Sequence, residues 1–283
     1  MGSPLALRWF KTLWGTAGAG APHRTFEAAV AAAADEGWDG VTYATIGEMI
    51  EPDLGRLEPL AEQCAALGLE LVVGVHTFGR TLDDHRRFAD HVVPRAIAAQ
   101  PRHIVHHTGL DSFSPADRAA FFHHIADYEQ ASGIPMCHET HRQRPLFTPW
   151  ATREALAEHP DLHMVLDLSH WVVVAERLLD DIDGILHTAA PRVLHIDARV
   201  GQEEAPQIAD PTDPRWTTQR AWFEAKWKMV IAAAAAAGRT EMVMVPEYGP
   251  PPYLPTAPHT GQPVVDLWST VLREREHLKV ALA

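Results

Sequence analysis

Eight short apolar or β-branched runs recur along this chain, and their spacing restricts the fold more than any other feature. They centre near Thr12 (RWFKTLW), Val41 (DGVTYA), Val73 (LELVVGVH), Val105 (HIVHHT), Cys137 (PMCHET), Val165 (LHMVLD), His195 (RVLHID) and Val245 (MVMVPE). The first seven centres lie 28 to 32 residues apart, and the eighth follows after 50. Each interval has room for a strand, a loop, a helix and a return turn. Strands that alternate with helices must pair in parallel, because parallel neighbours need a crossover connection. Eight such units predict an α/β fold, a (β/α)8 TIM barrel forming one domain over residues 1–283. Six or seven would point to an open doubly wound sheet, and no GxGxxG follows the first strand to support a dinucleotide-binding version of it.

The intervening segments read as helices with their own start and stop signals. Residues 25–36, 53–67 and 114–132 open on Thr25, Asp53 and Ser114 and stop at Gly37, Gly68 and Gly133. The long final interval predicts an extended loop or helix insertion between strands seven and eight. It carries three tryptophans within 214–230, and a lid, an extra helix and a subunit contact in a homo-oligomer all fit that pattern. The alanine-rich stretch 229–238 is too short to span a bilayer and reads as buried helix, so no membrane partner is expected. Two cysteines, Cys64 and Cys137, are too few for a disulfide framework, and the N-terminal residues lack the pattern of a signal peptide; both fit a cytoplasmic protein. A formal net charge of −13 works against nucleic-acid binding and favours a small-molecule substrate.

In such a barrel the catalytic residues sit at the carboxyl ends of the strands. The ends of strands five to eight carry Glu139, Asp167 with His170, His195 with Asp197 and Arg199, and Glu247; strands three and four end on His76 and on His106 and His107. Adjacent strands are about 4.8 Å apart, so these side chains can meet. Three carboxylates converging without a cation would repel one another. One divalent metal ion held by Glu139, Asp167, His195 and Glu247 removes that conflict, and the oxygen-rich set suits Mn²⁺ or Mg²⁺, with Zn²⁺ or Co²⁺ also compatible. Each residue also has a plainer role open to it. Glu139 could pair with Arg142 or Arg144, Asp167 could cap the next helix, His195 could be a core histidine, Glu247 could sit in a turn, and Asp197 could pair with Arg199.

The patterns CHETH, VLDLSH, LHIDAR and VPEYG on strands five to eight resemble the xylose-isomerase-like TIM-barrel superfamily, in particular its sugar phosphate isomerase/epimerase-type members. The resemblance implies the same four metal ligands, a substrate-facing imidazole at His170 and a substrate-facing guanidinium at Arg199. It further implies proton transfer by Glu139 and Glu247 on a small sugar- or polyol-derived hydroxy-carbonyl, through an enediolate. Asp197 is then a residue that orients His195 or Arg199, and His76 and His107 are expected to contact substrate. A lyase or dehydratase would use the same residues. An apurinic-endonuclease-like phosphodiesterase with several zinc ions is a further alternative, but the loop after strand seven offers Asp210 and Asp213 without a neighbouring histidine.

Overall fold

A computed structural model describes residues 5–18, 20–45 and 54–283. Its eight strands close into an all-parallel barrel in chain order: β1 (Ala6–Thr12), β2 (Gly40–Ala44), β3 (Glu70–His76), β4 (Ile104–His107), β5 (Met136–Glu139), β6 (His163–Leu166), β7 (Val193–Asp197) and β8 (Glu241–Val245). Nine α-helices among the described residues surround it: α1 (Phe26–Asp35), α2 (Leu57–Ala66), α3 (Leu82–Ala98), α4 (Pro115–Ser132), α5 (Pro149–Glu158), α6 (Leu168–Ala175), α7 (Asp183–Ala189), α8 (Thr217–Ala236) and α9 (Leu267–Ala281). The start signals act as expected at α1 and α4, where the Thr25 and Ser114 hydroxyls accept from Ala28 and Asp117 amides. Gly133 ends α4 at φ 71°, a left-handed turn that suits a residue without Cβ. Asp53, expected to open the second helix, lies outside the described residues.

Two-residue alternation along each strand sorts the side chains into two cores. Phe10, Val72, Val105, Cys137, Val165, Val243 and Val245 pack together inside the barrel, while a far larger apolar shell lies between the strands and the helices. The inner cluster fills the barrel toward its amino end. Polar residues two or four positions further along the same strands therefore rise toward the open carboxyl end. Burying the apolar parts of these side chains stabilises the fold at about 25 cal/mol per Å².

The long seventh connection is an irregular loop followed by α8. Its tryptophans pack rather than project: Trp227 is buried, Trp216 packs on the outer core, and Trp222 donates its indole N–H to Asp180. The alanine stretch is only part-buried, with Val230 and Ala234 facing the core, because one face of α8 meets solvent. Both cysteines are buried free thiols, and no described helix is long and apolar enough to cross a membrane.

Candidate active site

A cavity of about 370 Å³ opens where the inward-facing residues leave the strand ends. Its lining includes His76, His107, Glu139, His141, Arg199 and Glu247, but neither Asp167 nor His170. Strand parity accounts for most of the membership. His141 follows Glu139 by two, Arg199 follows Asp197 by two, and Glu247 follows Val245 by two, so each extends the inward face of its strand.

Register decides which of them share a level. Val165 pairs with His195, and His195 pairs with Val243, across a bulge between Met164 and Val165. Glu139 pairs with the same Val165, so His195 lies in one row with Glu139 and with two members of the apolar plug. Its Nδ1 is 3.1 Å from Nε2 of His103, deep in the barrel, and its Nε2 is 3.0 Å from Asp197. The strand-seven residue level with Asp167 is Asp197, two steps beyond His195. His195 is buried, yet it also lines the cavity, and among the described residues its Nε2 has no aligned hydrogen-bond partner.

Arg199 is the centre of the site's charge. Its side chain is 2% exposed, and its Nη1 is 2.9 Å from Glu247. Its Nη2 bonds Asp167 and reaches Nε2 of His170 at 2.9 Å, while Nε donates to Ser169 Oγ at 3.2 Å. A guanidinium has no acceptor, so Nε2 of His170 must accept and the ring proton sits on Nδ1. The ring of Tyr253 lies 5.1 Å from this guanidinium and 5.1 Å from that of Arg142. Arg199, expected from sequence to meet substrate, thus has most of its donors engaged by protein groups. His170, expected to face substrate, sits behind it and against His141, with ring centroids 3.8 Å apart. Asp167 also caps α6 by accepting from the Ser169 amide.

Glu139 is 2% exposed. Its Oε2 lies 2.6 Å from Nε2 of His107, but the contact is bent, and among the described residues neither carboxylate oxygen has an aligned hydrogen-bond partner. Burial, and then the nearby charge of Asp167, push its carboxyl up to about 8. Burial likewise raises Asp167, against the pull of Arg199, and burial with neighbouring carboxylates raises Asp197 and Glu247 well above the usual range. Burial would lower the Arg199 guanidinium, but Asp167 and Glu247 more than reverse this and keep it charged. Burial holds the imidazoles of His76, His107, His141 and His170 neutral, with His107 down to about 3. His76 stacks on His107 with centroids 4.2 Å apart and rings inclined by 16°.

Three buried carboxylates and the half-buried Glu247 thus face the buried guanidinium of Arg199, and this chemistry fits a divalent cation. Two groups of described residues place their donor atoms within 4.8 Å of one another: His107 with Glu139 and His141, and Glu139 with Asp167 and His170. Glu139 belongs to both. The four-ligand set expected from sequence is not one of these close groups: Glu139, His195 and Glu247 line the same cavity, Asp167 does not, and Glu247 is turned onto Arg199. Asp210 and Asp213 stay outside the site, where they support turns at Thr212 and Arg215.

Further residues complete the site: Trp14, His141 and Tyr253, which the sequence did not single out, line the cavity, and Arg144 braces its rim. Arg144 donates to the Thr77 and Gly109 carbonyls and pins two loops at the rim. Trp14 meets Tyr253 edge-on at 4.9 Å, and a Cβ on Gly249 would come within 2.1 Å of the Trp14 ring, so only glycine admits this approach. His141 was legible from its parity with Glu139. Tyr253 was not, because the loop that carries it has no periodicity.

No protein-family model matches the chain, and no curated protein is similar to it. Solved structures do resemble it over nearly its whole length. A D-allulose 3-epimerase from Methylomonas sp. superposes with a TM-score of 0.62 over 100% of both chains at 15% identity. A D-tagatose 3-epimerase-like protein gives 0.63 over 97% of each chain at 12% identity. A xylose isomerase-like TIM barrel protein from Mycobacterium smegmatis, solved in complex with magnesium, gives 0.57 over 99% of this chain and 98% of its own at 15% identity. At these identities the likeness shows the fold alone, a closed (β/α)8 barrel.

Proposed function

We propose that this chain is a divalent-metal-dependent enzyme of the sugar isomerase or epimerase kind, acting on a small hydroxy-carbonyl substrate. The observation that carries the reading is the pair of carboxylates, Glu139 and Glu247, which line one cavity from different strands in electrostatically distinct settings. Glu139 lines the cavity with both carboxylate oxygens lacking an aligned hydrogen-bond partner among the described residues, so they are free to meet a substrate proton. Glu247 is held by Arg199 and presents its carboxyl from the β8 side.

A bound divalent cation would polarise the oxygens of the hydroxy-carbonyl and acidify the neighbouring C–H. Donors centred on Glu139 would hold it. Glu139 takes the proton beside the carbonyl, and Glu247 returns a proton from its own side, to the same carbon in an epimerisation or to its neighbour in an isomerisation. The fixed positive charge of Arg199 offsets negative charge that develops as the enediolate forms. Arg199 fixes the direction of Glu247, and His76 offers substrate a neutral imidazole. The fold shared with 3-epimerases supports this reading.

The test is deuterium uptake. Incubation with a panel of ketoses and inososes in D₂O should give metal-dependent exchange at the carbon beside the carbonyl. Glu139→Gln and Glu247→Gln should each lower it by roughly 10²- to 10⁴-fold. Exchange that is unchanged in both variants would refute the proton-transfer roles.

A further inference from the structure

The two donor groups that meet at Glu139 are not equally open to an ion. In the group formed with Asp167 and His170, the Nη2 atom of Arg199 already contacts both other members. A divalent cation there would have to displace a buried guanidinium whose charge Asp167 and Glu247 stabilise. Nε2 of His170 is also occupied, because it accepts from Arg199. Neither Asp167 nor His170 lines the cavity, so an ion held between them would be screened from substrate by Arg199.

The other group contains no guanidinium; its one close internal contact is Nε2 of His107 at 2.6 Å from Glu139 Oε2, which an ion would part. His107, Glu139 and His141 all line the cavity. The Glu139 oxygens are buried without aligned partners among the described residues, which is costly for a carboxylate unless something else satisfies it. His141 donates its Nδ1–H to the carbonyl of Arg142, which leaves Nε2 as the free lone pair. A ligating histidine characteristically makes such a bond with its other nitrogen. Two metal–ligand bonds of about 2.1 Å span about 4.2 Å, so donors within 4.8 Å close on an ion by small side-chain rotations.

We infer that the cation site of this chain is His107, Glu139 and His141, on the β4 and β5 side of the barrel, with Arg199 standing as a fixed positive charge among Asp167, His170 and Glu247. Two imidazoles and one carboxylate favour a borderline ion such as Zn²⁺ or Co²⁺ over Mg²⁺. Three protein ligands leave a coordination position that faces the cavity, as a catalytic rather than a structural site requires. The inference rests on the proposed function only for the need of a cation, and its test reads binding rather than turnover.

The experiment measures Zn²⁺ affinity and stoichiometry by competition with a chromogenic chelator on the full chain, with Co²⁺ absorption as a second readout. Wild type should bind one ion at this site, with a Co²⁺ spectrum of nitrogen and oxygen ligation. Losing an outer partner of a ligand typically costs 10- to 100-fold in affinity; losing a direct ligand in His141→Ala or His107→Ala should cost more than ~100-fold. Asp167→Asn and Glu247→Gln should retain affinity within about 10-fold. Thermal unfolding of each variant checks that it folds, and either of the two carboxylate variants suffices if the other does not. The site is overturned if wild type binds neither ion, or if His141→Ala retains it while a folded Asp167→Asn or Glu247→Gln loses it. Retained binding with no deuterium exchange on any substrate would count against the proposed function and leave this site standing.

Discussion

Replacing Arg199 by methionine tests whether a guanidinium, rather than an ion, neutralises the β6 to β8 side of the site. The substitution keeps an unbranched apolar stem and deletes a cation that contacts Asp167 and lies 2.9 Å from Glu247. The arginine side chain is 2% exposed and that of Asp167 0%, so solvent cannot take over the lost interaction at Asp167. Removing one partner of a buried ion pair costs about 3–5 kcal/mol, because the charge left behind is uncompensated. Two carboxylates lose their partner here, which argues for the upper half of that range. Both can take up protons, which argues for the lower half, so the full interval stands as the expectation. At about 2 °C per kcal/mol for a chain of this length, Arg199→Met should lower Tm by about 6–10 °C. Arg142→Met is the control: its guanidinium lies over the same Tyr253 ring at 5.1 Å, and an interaction of that kind is worth about 0.5–1 kcal/mol at an exposed site. The triple variant Arg199→Met, Asp167→Asn, Glu247→Gln should regain much of the loss, since no uncompensated charge remains at these three positions. Differential scanning calorimetry on the chelator-treated protein gives all three values. An Arg199→Met loss no larger than that of the control would refute the neutralising role, and so would a triple variant less stable than the single one.

Other consequences follow from the same geometry. Gly249→Ala would set a methyl group against the Trp14 ring; overpacking of this kind should cost about 1–3 kcal/mol and alter near-ultraviolet circular dichroism as Trp14 moves, whereas an unchanged spectrum and Tm would mean that the two loops are not interlocked. Glu274 is buried 2.9 Å from Arg220, and burial outweighs that partner to raise its carboxyl to about 7. The folded state then keeps a proton that the unfolded state loses, so stability falls between about pH 4.5 and 7 by up to ~3 kcal/mol, and Glu274→Gln should remove that fall; parallel profiles would show that Arg220 keeps the group ionised. Removing divalent ions with a chelator should lower Tm, and restoring Zn²⁺ at 100 times its Kd should recover about 2.7 kcal/mol; a Tm indifferent to both treatments would argue against an ion bound to the folded state.

The spacing of apolar runs was enough for the barrel because a closed parallel sheet leaves one arrangement for eight equal strand–helix units. Parity was enough to place Glu139, Asp197, Arg199 and Glu247 on inward faces. What parity could not supply is height. Continued from the Met164–Val193 pair, the register would set Asp167 opposite Ile196; the bulge between Met164 and Val165 sets it opposite the inward Asp197 instead. Such a bulge shifts register without leaving a distinctive residue in HMVL or VLHID. The second limit is reach. Strand spacing positions a Cβ, but a guanidinium lies several bonds further out, so LHIDAR could not reveal that Arg199 folds back onto Asp167 and His170. That reach alters the electrostatic argument for a metal. Converging carboxylates need positive charge, but not necessarily an ion among all of them. Here the chain supplies part of that charge itself: Arg199 contacts Asp167 and Glu247, while Asp197 lies 3.0 Å from His195 and Glu139 is the other carboxylate that Arg199 does not contact at hydrogen-bond distance. Its close polar neighbour within 3 Å is an imidazole that burial keeps uncharged. The requirement for an external cation is therefore concentrated on Glu139, beside the two histidines on the cavity wall.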